Sequence, residues 1–227
     1  MRKQSFFLIL LLPLLGQAAG MGISVPYNIS ETERISYSNV NLEKTTYDYK
    51  PSTGLGFVFD TNIGKDKEFS YRLDFEYSLA ELDDSSRLLS SNLLKHKYSI
   101  VNTFGFSVYH SRYVRFWAGP RLIVQYEHIS SSSNISSQNS YGLGMGIATG
   151  VNVHLGPKVS LGADIDYHGV LMFGGEHYYL NNETYYSVIG GSNKGSTARL
   201  YLLLRFGEQY EQTPDKTHEE SVIDYSL

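Results

Sequence analysis

Apolar and polar side chains alternate along most of this chain. In the segment from Phe69 to Leu79, every odd-numbered position is aromatic or aliphatic and every even-numbered position is polar. The same two-residue period recurs in 114–126, 141–153 and 198–206. A period of two places successive side chains on opposite faces of a β-strand, whereas a helix repeats every 3.6 residues. The pattern predicts an all-β protein.

Eight strands can be placed along the chain by this period. Their predicted bounds are 21–29, 53–61, 68–80, 94–109, 113–128, 140–154, 159–171 and 195–206. The connections after the second, fourth and sixth strands are short. The others are long and polar, at 30–52, 81–93, 129–139 and 172–194. Because short turns at one end and long loops at the other are typical of outer-membrane barrels, the predicted fold is a closed antiparallel up-and-down eight-stranded transmembrane β-barrel.

A soluble eight-stranded barrel would also alternate, but it would present a Lys- and Glu-rich face to solvent. Here the polar face mixes glycine, alanine and serine with arginine, aspartate and glutamate. Glycine weakens a strand, yet it makes room for a long side chain inside a narrow barrel. The interior of an eight-stranded barrel is only just wide enough to be filled by side chains. The polar face is therefore predicted to point inward and the apolar face toward lipid.

The first twenty residues predict export from the cytoplasm. Arg2 and Lys3 precede the apolar run Phe6–Leu15, and small residues follow it. This order is typical of a signal peptide, and ten apolar residues are too few for a membrane-spanning helix. The predicted organisation is a signal peptide at 1–20, a barrel at 21–206 and an acidic periplasmic tail at 207–227 without fixed structure.

Composition excludes several other functions. The chain has 227 residues, no cysteine and a formal net charge of −4. Without cysteine there are no disulfides, thiolate metal sites or cysteine nucleophiles. The acidic balance argues against binding to nucleic acid. No cofactor is predicted.

Aromatic residues on the apolar face fall at two levels, as expected for rings at the two membrane interfaces. Those near the long loops are Tyr77, Tyr98, Tyr126, Tyr141 and Tyr167, and those near the short turns are Phe69, Tyr71 and Phe206.

Three segments carry a resemblance to a known family. They are FVFDTNIGKDKEFSYRLDFEY at 57–77, RFWAGPRL at 115–122 and ARLYLLLRF at 198–206. Together with the signal peptide, they resemble the small outer-membrane β-barrel families of OmpA/OmpX type, over residues 21–206. The resemblance implies a monomer in the cell outer membrane, in contact with lipid and lipopolysaccharide. It also implies that the outer-membrane assembly machinery recognises Phe206, although this chain continues for 21 residues beyond it.

Charged residues on the inward face are expected to close the lumen. The predicted inward set is Arg72, Asp74, Glu76, Arg121, Asp164, Asp166 and Arg199. Since an isolated buried ion costs several kcal/mol, we expect Arg121 and Arg199 to bridge the acids at their level. The assumed cross-strand pairs are Asp60 with Ser70, Trp117 with Gly105, Lys95 with Glu127, and Asp164 with Gly150.

Two motifs point to chemistry without completing it. His154 and His168 lie near Asp164 and Asp166, but such groups in a crowded lumen are expected to hydrogen-bond one another, and no metal is predicted. His128-Ile129-Ser130 resembles the His-x-Ser of outer-membrane lipid A deacylases, without that family's other residues. The loop Gly175–Tyr186 is either a binding surface for an unknown extracellular ligand or an extended hairpin.

The function that these patterns favour is a non-enzymatic barrel with a structural role or a role performed by its external loops. A lipid A-modifying enzyme is the alternative. A narrow pore for small solutes is a weaker alternative.

Overall fold

The computed structural model describes residues 20–37, 44–61, 68–81, 93–111, 113–131, 136–180 and 183–206. The predicted acidic tail and the signal peptide up to residue 19 lie outside this described part. Gly20, predicted as the last residue of the signal peptide, begins the first strand. No helix among the described residues is long and apolar enough to cross a membrane.

The described chain is almost entirely strand. The strands are β1 (Gly20–Tyr37), β2 (Lys44–Tyr49), β3 (Ser52–Asp60), β4 (Phe69–Glu81), β5 (Leu93–His110), β6 (Val114–Ser131), β7 (Ser136–His154), β8 (Val159–Leu180) and β9 (Glu183–Arg205). The prediction of an all-β protein is confirmed.

The strands form one closed antiparallel ring. Each strand from β3 to β8 pairs with the next one in the chain, and β1 pairs with both β3 and β9 to close the sheet. The short strand β2 pairs with β1 beyond the end of β3. Only Lys50 and Pro51 separate β2 from β3, so the two serve as one wall strand that is broken where proline has no N–H to donate. The eight-stranded barrel is confirmed.

The strands are strongly tilted, as the register shows. Followed around the ring from Ile23, the paired positions are Phe57, Phe75, Ile100, Val124, Leu143, Leu171, Ser192 and finally Arg34. The path thus returns to β1 eleven positions further on, or ten when the extra residue of a bulge at Ile29 is discounted. A fixed stagger of this kind accompanies a tilt of roughly 35–45°.

The two faces of the sheet separate as predicted. Arg121 and Glu127 on the inner face are fully buried, whereas the outer-face residues Ile147 and Leu200 are 73% and 65% exposed. Near the long-loop end, Tyr77, Tyr98, Tyr126 and Tyr141 follow one another around the outside, with ring centroids 5.0, 6.1 and 5.1 Å apart. The outward-facing surface is therefore apolar and bordered by an aromatic row, as predicted for a lipid-facing surface.

The strands run further past the long-loop end than predicted. β1 continues to Tyr37 instead of ending at residue 29, and β8 and β9 form a hairpin in which Leu180 pairs with Glu183. The described residues of the predicted loop, 175–180 and 183–186, thus form an extended hairpin. The sequence of this hairpin offers no continuous apolar face. Backbone hydrogen bonds between β8 and β9 nevertheless extend the sheet into it.

Two of the assumed registers are wrong by two residues. Asp60 pairs with Arg72 instead of Ser70, and Glu127 pairs with Lys97 instead of Lys95. Trp117 likewise pairs with Ser107 instead of Gly105, because the path through the turn is longer than assumed. A slip of two keeps every side chain on its face, so the inward and outward assignments survive. The pairing of Asp164 with Gly150 is correct.

Candidate functional site: the charged lumen

The centre of the lumen is an ion cluster around Arg121 and Asp164. Arg121 lies at mid-length of β6, and its Nη2 is 2.9 Å from Asp164 Oδ2 on β8. Its Nη1 also pairs with Asp166, and its Nε donates to Thr103 Oγ1 at 2.8 Å. Because Arg121 is fully buried, all these contacts are made out of solvent. A guanidinium held by two carboxylates in this way is one of the stronger polar arrangements in proteins.

Arg199 on β9 extends the cluster to the opposite wall. It is the register partner of Asp164, pairs with Asp166, and lies with Nη1 3.5 Å from Asp164 Oδ1. Its Nη2 also donates to Glu76 Oε2 on β4 at 3.1 Å. Arg199 thus joins β4 and β8 across the lumen.

Arg72 connects the cluster to the short-turn end of the barrel. Its Nη2 is 2.9 Å from Asp60 Oδ2 and its Nη1 is 3.4 Å from Asp164 Oδ2. The guanidinium lies over two rings, 5.1 Å from the Trp117 centroid and 4.5 Å from that of Tyr201. Tyr201 in turn donates its hydroxyl to Asp164. Asp164 is therefore the acceptor shared by all three arginines.

Asp74 differs from the other predicted lumen residues. It is fully buried on the inner face of β4, yet neither carboxylate oxygen accepts a hydrogen bond from a described residue. The other six predicted residues are joined in one network, which we call the lower network: Arg72, Glu76, Arg121, Asp164, Asp166 and Arg199, with Asp60 as a further member.

A second ion cluster, the upper network, lies closer to the long-loop end. Its members are Glu31, Glu33, Lys95, Lys97 and Glu127. Lys95 is fully buried, pairs with Glu31 and is 3.2 Å from Glu127 Oε1. Its Nζ also lies 3.8 Å from the centroid of the Tyr49 ring. The alternation predicts that Lys95 and Glu127 face each other, but it places Glu31 and Glu33 in a loop.

Apolar side chains separate the two networks and close the short-turn end. Along β6 the inward positions run from Glu127 through Ile123 to Arg121, and Ile123 packs in a buried group with Val101, Val170 and Met172. Nearer the short turns a second group contains Val58, Tyr201 and Leu203. Trp117 fills the same end because β7 carries glycine there. A Cβ at Gly150 would lie only 2.6 Å from Trp117 Cζ2.

The histidines of the lumen have local partners. His154 Nδ1 is 2.8 Å from Ser160 Oγ, and His168 Nδ1 is 2.6 Å from Asp166 Oδ1. Among the described residues, no group of three or more His, Asp or Glu side chains could hold a metal ion.

The His-x-Ser motif lies on the outer surface. His128 Nδ1 is 2.8 Å from Asn139 Oδ1, which also accepts from the Tyr126 hydroxyl at 2.7 Å. No described carboxylate hydrogen-bonds to His128, so within the described part of the chain the motif lacks the acid of a triad. Phe206 follows β9 directly and is 44% exposed, below the outward row Leu200, Leu202 and Leu204.

Comparisons with known proteins bear on the fold. No protein-family model and no curated protein sequence matches the chain. Among solved structures, the outer membrane protein OprG from Pseudomonas aeruginosa has a TM-score of 0.56 at 10% identity, covering 85% of this chain and 99% of OprG. Neisserial surface protein A has a TM-score of 0.40 at 15% identity, covering 82% and 97%, and Ail of Yersinia pestis 0.36 at 14%, covering 80% and 99%. The likeness to OprG shows that this chain has the fold of a small outer-membrane β-barrel.

Proposed function

We propose that this chain is a non-conducting β-barrel of the cell outer membrane, whose role is structural or is performed by its external end. It would reach the membrane after removal of its predicted signal peptide, with Phe206 as the assembly signal, and act as a monomer. The observation that carries the proposal is the lower network. It draws on every strand from β3 to β9, since Asp60, Thr103 and Asn152 supply partners from β3, β5 and β7.

The lower network supports a closed lumen on energetic grounds. Arg121 and the side chains of Asp164 and Asp166 have no exposure to solvent. A solute would have to separate buried ion pairs, and removing one partner of such a pair costs about 3–5 kcal/mol. Above this level lies the buried apolar group with Ile123, which offers a permeating ion no polar partner.

The length and exposure of the external end support a role in binding other molecules. β8 and β9 contain 22 and 23 residues, whereas a tilted strand needs about 9–11 to span a membrane. The hairpin therefore stands above the membrane, where Tyr186 and Val188 are 55% and 47% exposed. Exposed tyrosine offers contact area at a low cost in conformational entropy, which suits an extracellular ligand.

Single-channel recording in planar bilayers tests the closed lumen. We expect the wild type to give no reproducible conductance steps, because two ion networks and an apolar layer fill its cross-section. Arg121→Ala removes the central guanidinium and is expected to produce steps. Arg34→Ala, which removes an outward-facing arginine, serves as the matched control and should stay silent. A heat-dependent band shift in detergent gels verifies that each variant is folded. Steady steps from the wild type would overturn the proposal in favour of a narrow pore.

Mass spectrometry of lipid A separates this proposal from the enzymatic alternative. Lipid A from cells that express the protein is expected to have the same acyl-chain masses as lipid A from cells without it, because no described carboxylate supports His128. Expression of His128→Ala controls for indirect effects on the envelope. A mass shift of one acyl chain that depends on His128 would instead establish a lipid A-modifying enzyme.

A further inference from the structure

A polar pocket lies on the outer wall of the barrel, outside the lumen. It has a volume of about 270 Å³ and lies where β1, β8 and β9 are neighbours. Its polar lining consists of Ser30, Thr32, Arg34, Tyr167, Ser192 and Lys194. We call it the wall pocket.

A bulge in β1 creates one side of the wall pocket. Asn28 pairs with Thr197 and Ser30 with the adjacent Ser196, so Ile29 is an extra residue. Ile29 and Ser30 both point outward, and the alternation then resumes with Thr32 and Arg34 outward and the upper-network glutamates inward. A bulge re-aims the side chains that follow it. The bulge thereby directs Thr32 and Arg34 into the wall pocket and Glu31 and Glu33 into the upper network.

A glycine on β8 leaves open space beside one residue of the wall pocket. Gly169 is the register partner of Lys194 and points outward. A Cβ at Gly169 would find only one atom within 4 Å, Asn193 O at 3.9 Å. The region beside Lys194 is therefore open.

The wall pocket begins where the apolar row of β9 ends. Along the outward row of β9, Leu204, Leu202, Leu200 and Ala198 are followed by Ser196, Lys194 and Ser192. On β8, Ile165 and Tyr167 come before Gly169, and the exposed Leu171 and Phe173 follow it. Tyrosine and basic side chains directly above an apolar band mark the headgroup level of a membrane. Because the long-loop end faces outside, this level is that of the outer leaflet.

The two cations of the wall pocket are available to an anion. Arg34 and Lys194 are both exposed, and within the described ranges neither forms an ion pair. The carboxylate beside the wall pocket in the register is Asp48, which accepts a hydrogen bond from Thr32 Oγ1 at 2.7 Å. Arginine binds phosphate oxygens with two parallel N–H groups, and lysine adds a point charge. The hydroxyls of Ser30, Ser192 and Tyr167 are further donors.

We propose that the wall pocket binds a phosphate group of lipopolysaccharide in the outer leaflet. The occupant must be an amphiphile, because exposed apolar side chains lie directly below the cations: Tyr27, Ile29, Ile165 and Leu200. Lipid A joins phosphates to acyl chains in this geometry, so its chains lie along these rows while a phosphate enters the wall pocket. The proposal rests on the outer-membrane location proposed above.

Binding of lipid A to the folded full-length barrel in detergent micelles, read as bound mass by native mass spectrometry, tests this site. We expect the double variant Arg34→Ala/Lys194→Ala to bind bisphosphorylated lipid A about tenfold more weakly than the wild type, because both cations are lost. Lys158→Ala removes a cation next to the start of β8, at the short-turn end, and should bind like the wild type. Lipid A stripped of its phosphates should bind the wild type as weakly as intact lipid A binds the double variant.

Two results would overturn the proposal. One is unchanged lipid A binding after loss of Arg34 and Lys194 or after removal of the phosphates. The other is displacement of bound lipid A by inorganic phosphate at a concentration equal to that of the lipid A, which would indicate a site for free anions. Conductance is recorded on the same variants. Because the wall pocket lies outside the lumen, failure of lipid A binding and failure of the closed lumen are observed separately.

Discussion

Asp164→Asn is expected to lower the free energy of unfolding by about 3–5 kcal/mol. Asp164 is within 3.5 Å of all three arginines of the lower network and also accepts the Tyr201 hydroxyl. The amide keeps the size of the carboxylate but carries no charge, and its NH₂ group adds donors that face other donors. Arg72, Arg121 and Arg199 would then share too few acceptors in a site that solvent does not reach.

Asp74→Asn is the matched control, with the opposite expectation. Asp74 is as buried as Asp164 but accepts no hydrogen bond from a described residue. An unsatisfied buried group costs about 1–3 kcal/mol, so loss of its charge should leave the free energy of unfolding unchanged or raise it. Urea unfolding in detergent measures both variants, with the single tryptophan, Trp117, as a local probe beside Arg72. Equal losses in the two variants would contradict the assigned pairing.

The fold could be predicted because each observation behind it is local. Alternation in Phe69–Leu79 fixes the two faces of β4 without any knowledge of its neighbours, and an error of two residues in register leaves those faces unchanged. Asp60 therefore stays an inward residue although its partner is Arg72 and not Ser70.

The partners within the lower network are a different kind of information. Asp164 meets Arg72, which is 92 positions away in the chain and not on a neighbouring strand. Such a contact depends on the stagger of the whole barrel, which adds up over every register around the ring. The sequence could indicate that the inward charges must pair, but it could not assign Glu76 to Arg199 or leave Asp74 without a donor.

The two β1 glutamates of the upper network escaped prediction for a specific reason at Ile29. The bulge puts two consecutive residues on the outer face, so strict alternation ends there and Glu31 and Glu33 fall into a predicted loop. The strand continues because β9 pairs with it as far as Tyr37. A polar stretch that keeps the period of two after a one-residue shift is the signal that could have found these glutamates.

Leu202→Arg tests the outward face with the largest effect expected for a single lipid-facing residue. Leu202 lies between Leu200 and Leu204 along β9 and between Ile23 and Leu161 across it, so the charge would be surrounded by apolar side chains and lipid. Arginine on the lipid face costs about 2–4 kcal/mol at the bilayer midplane. We expect a loss of this size in the free energy of unfolding in lipid bilayers. Val188→Arg is the matched control on the same face of β9, in the hairpin above the apolar band, and should change stability by less than about 0.5 kcal/mol. A loss at Val188 as large as that at Leu202 would show that the membrane lies higher on the barrel than its aromatic row indicates.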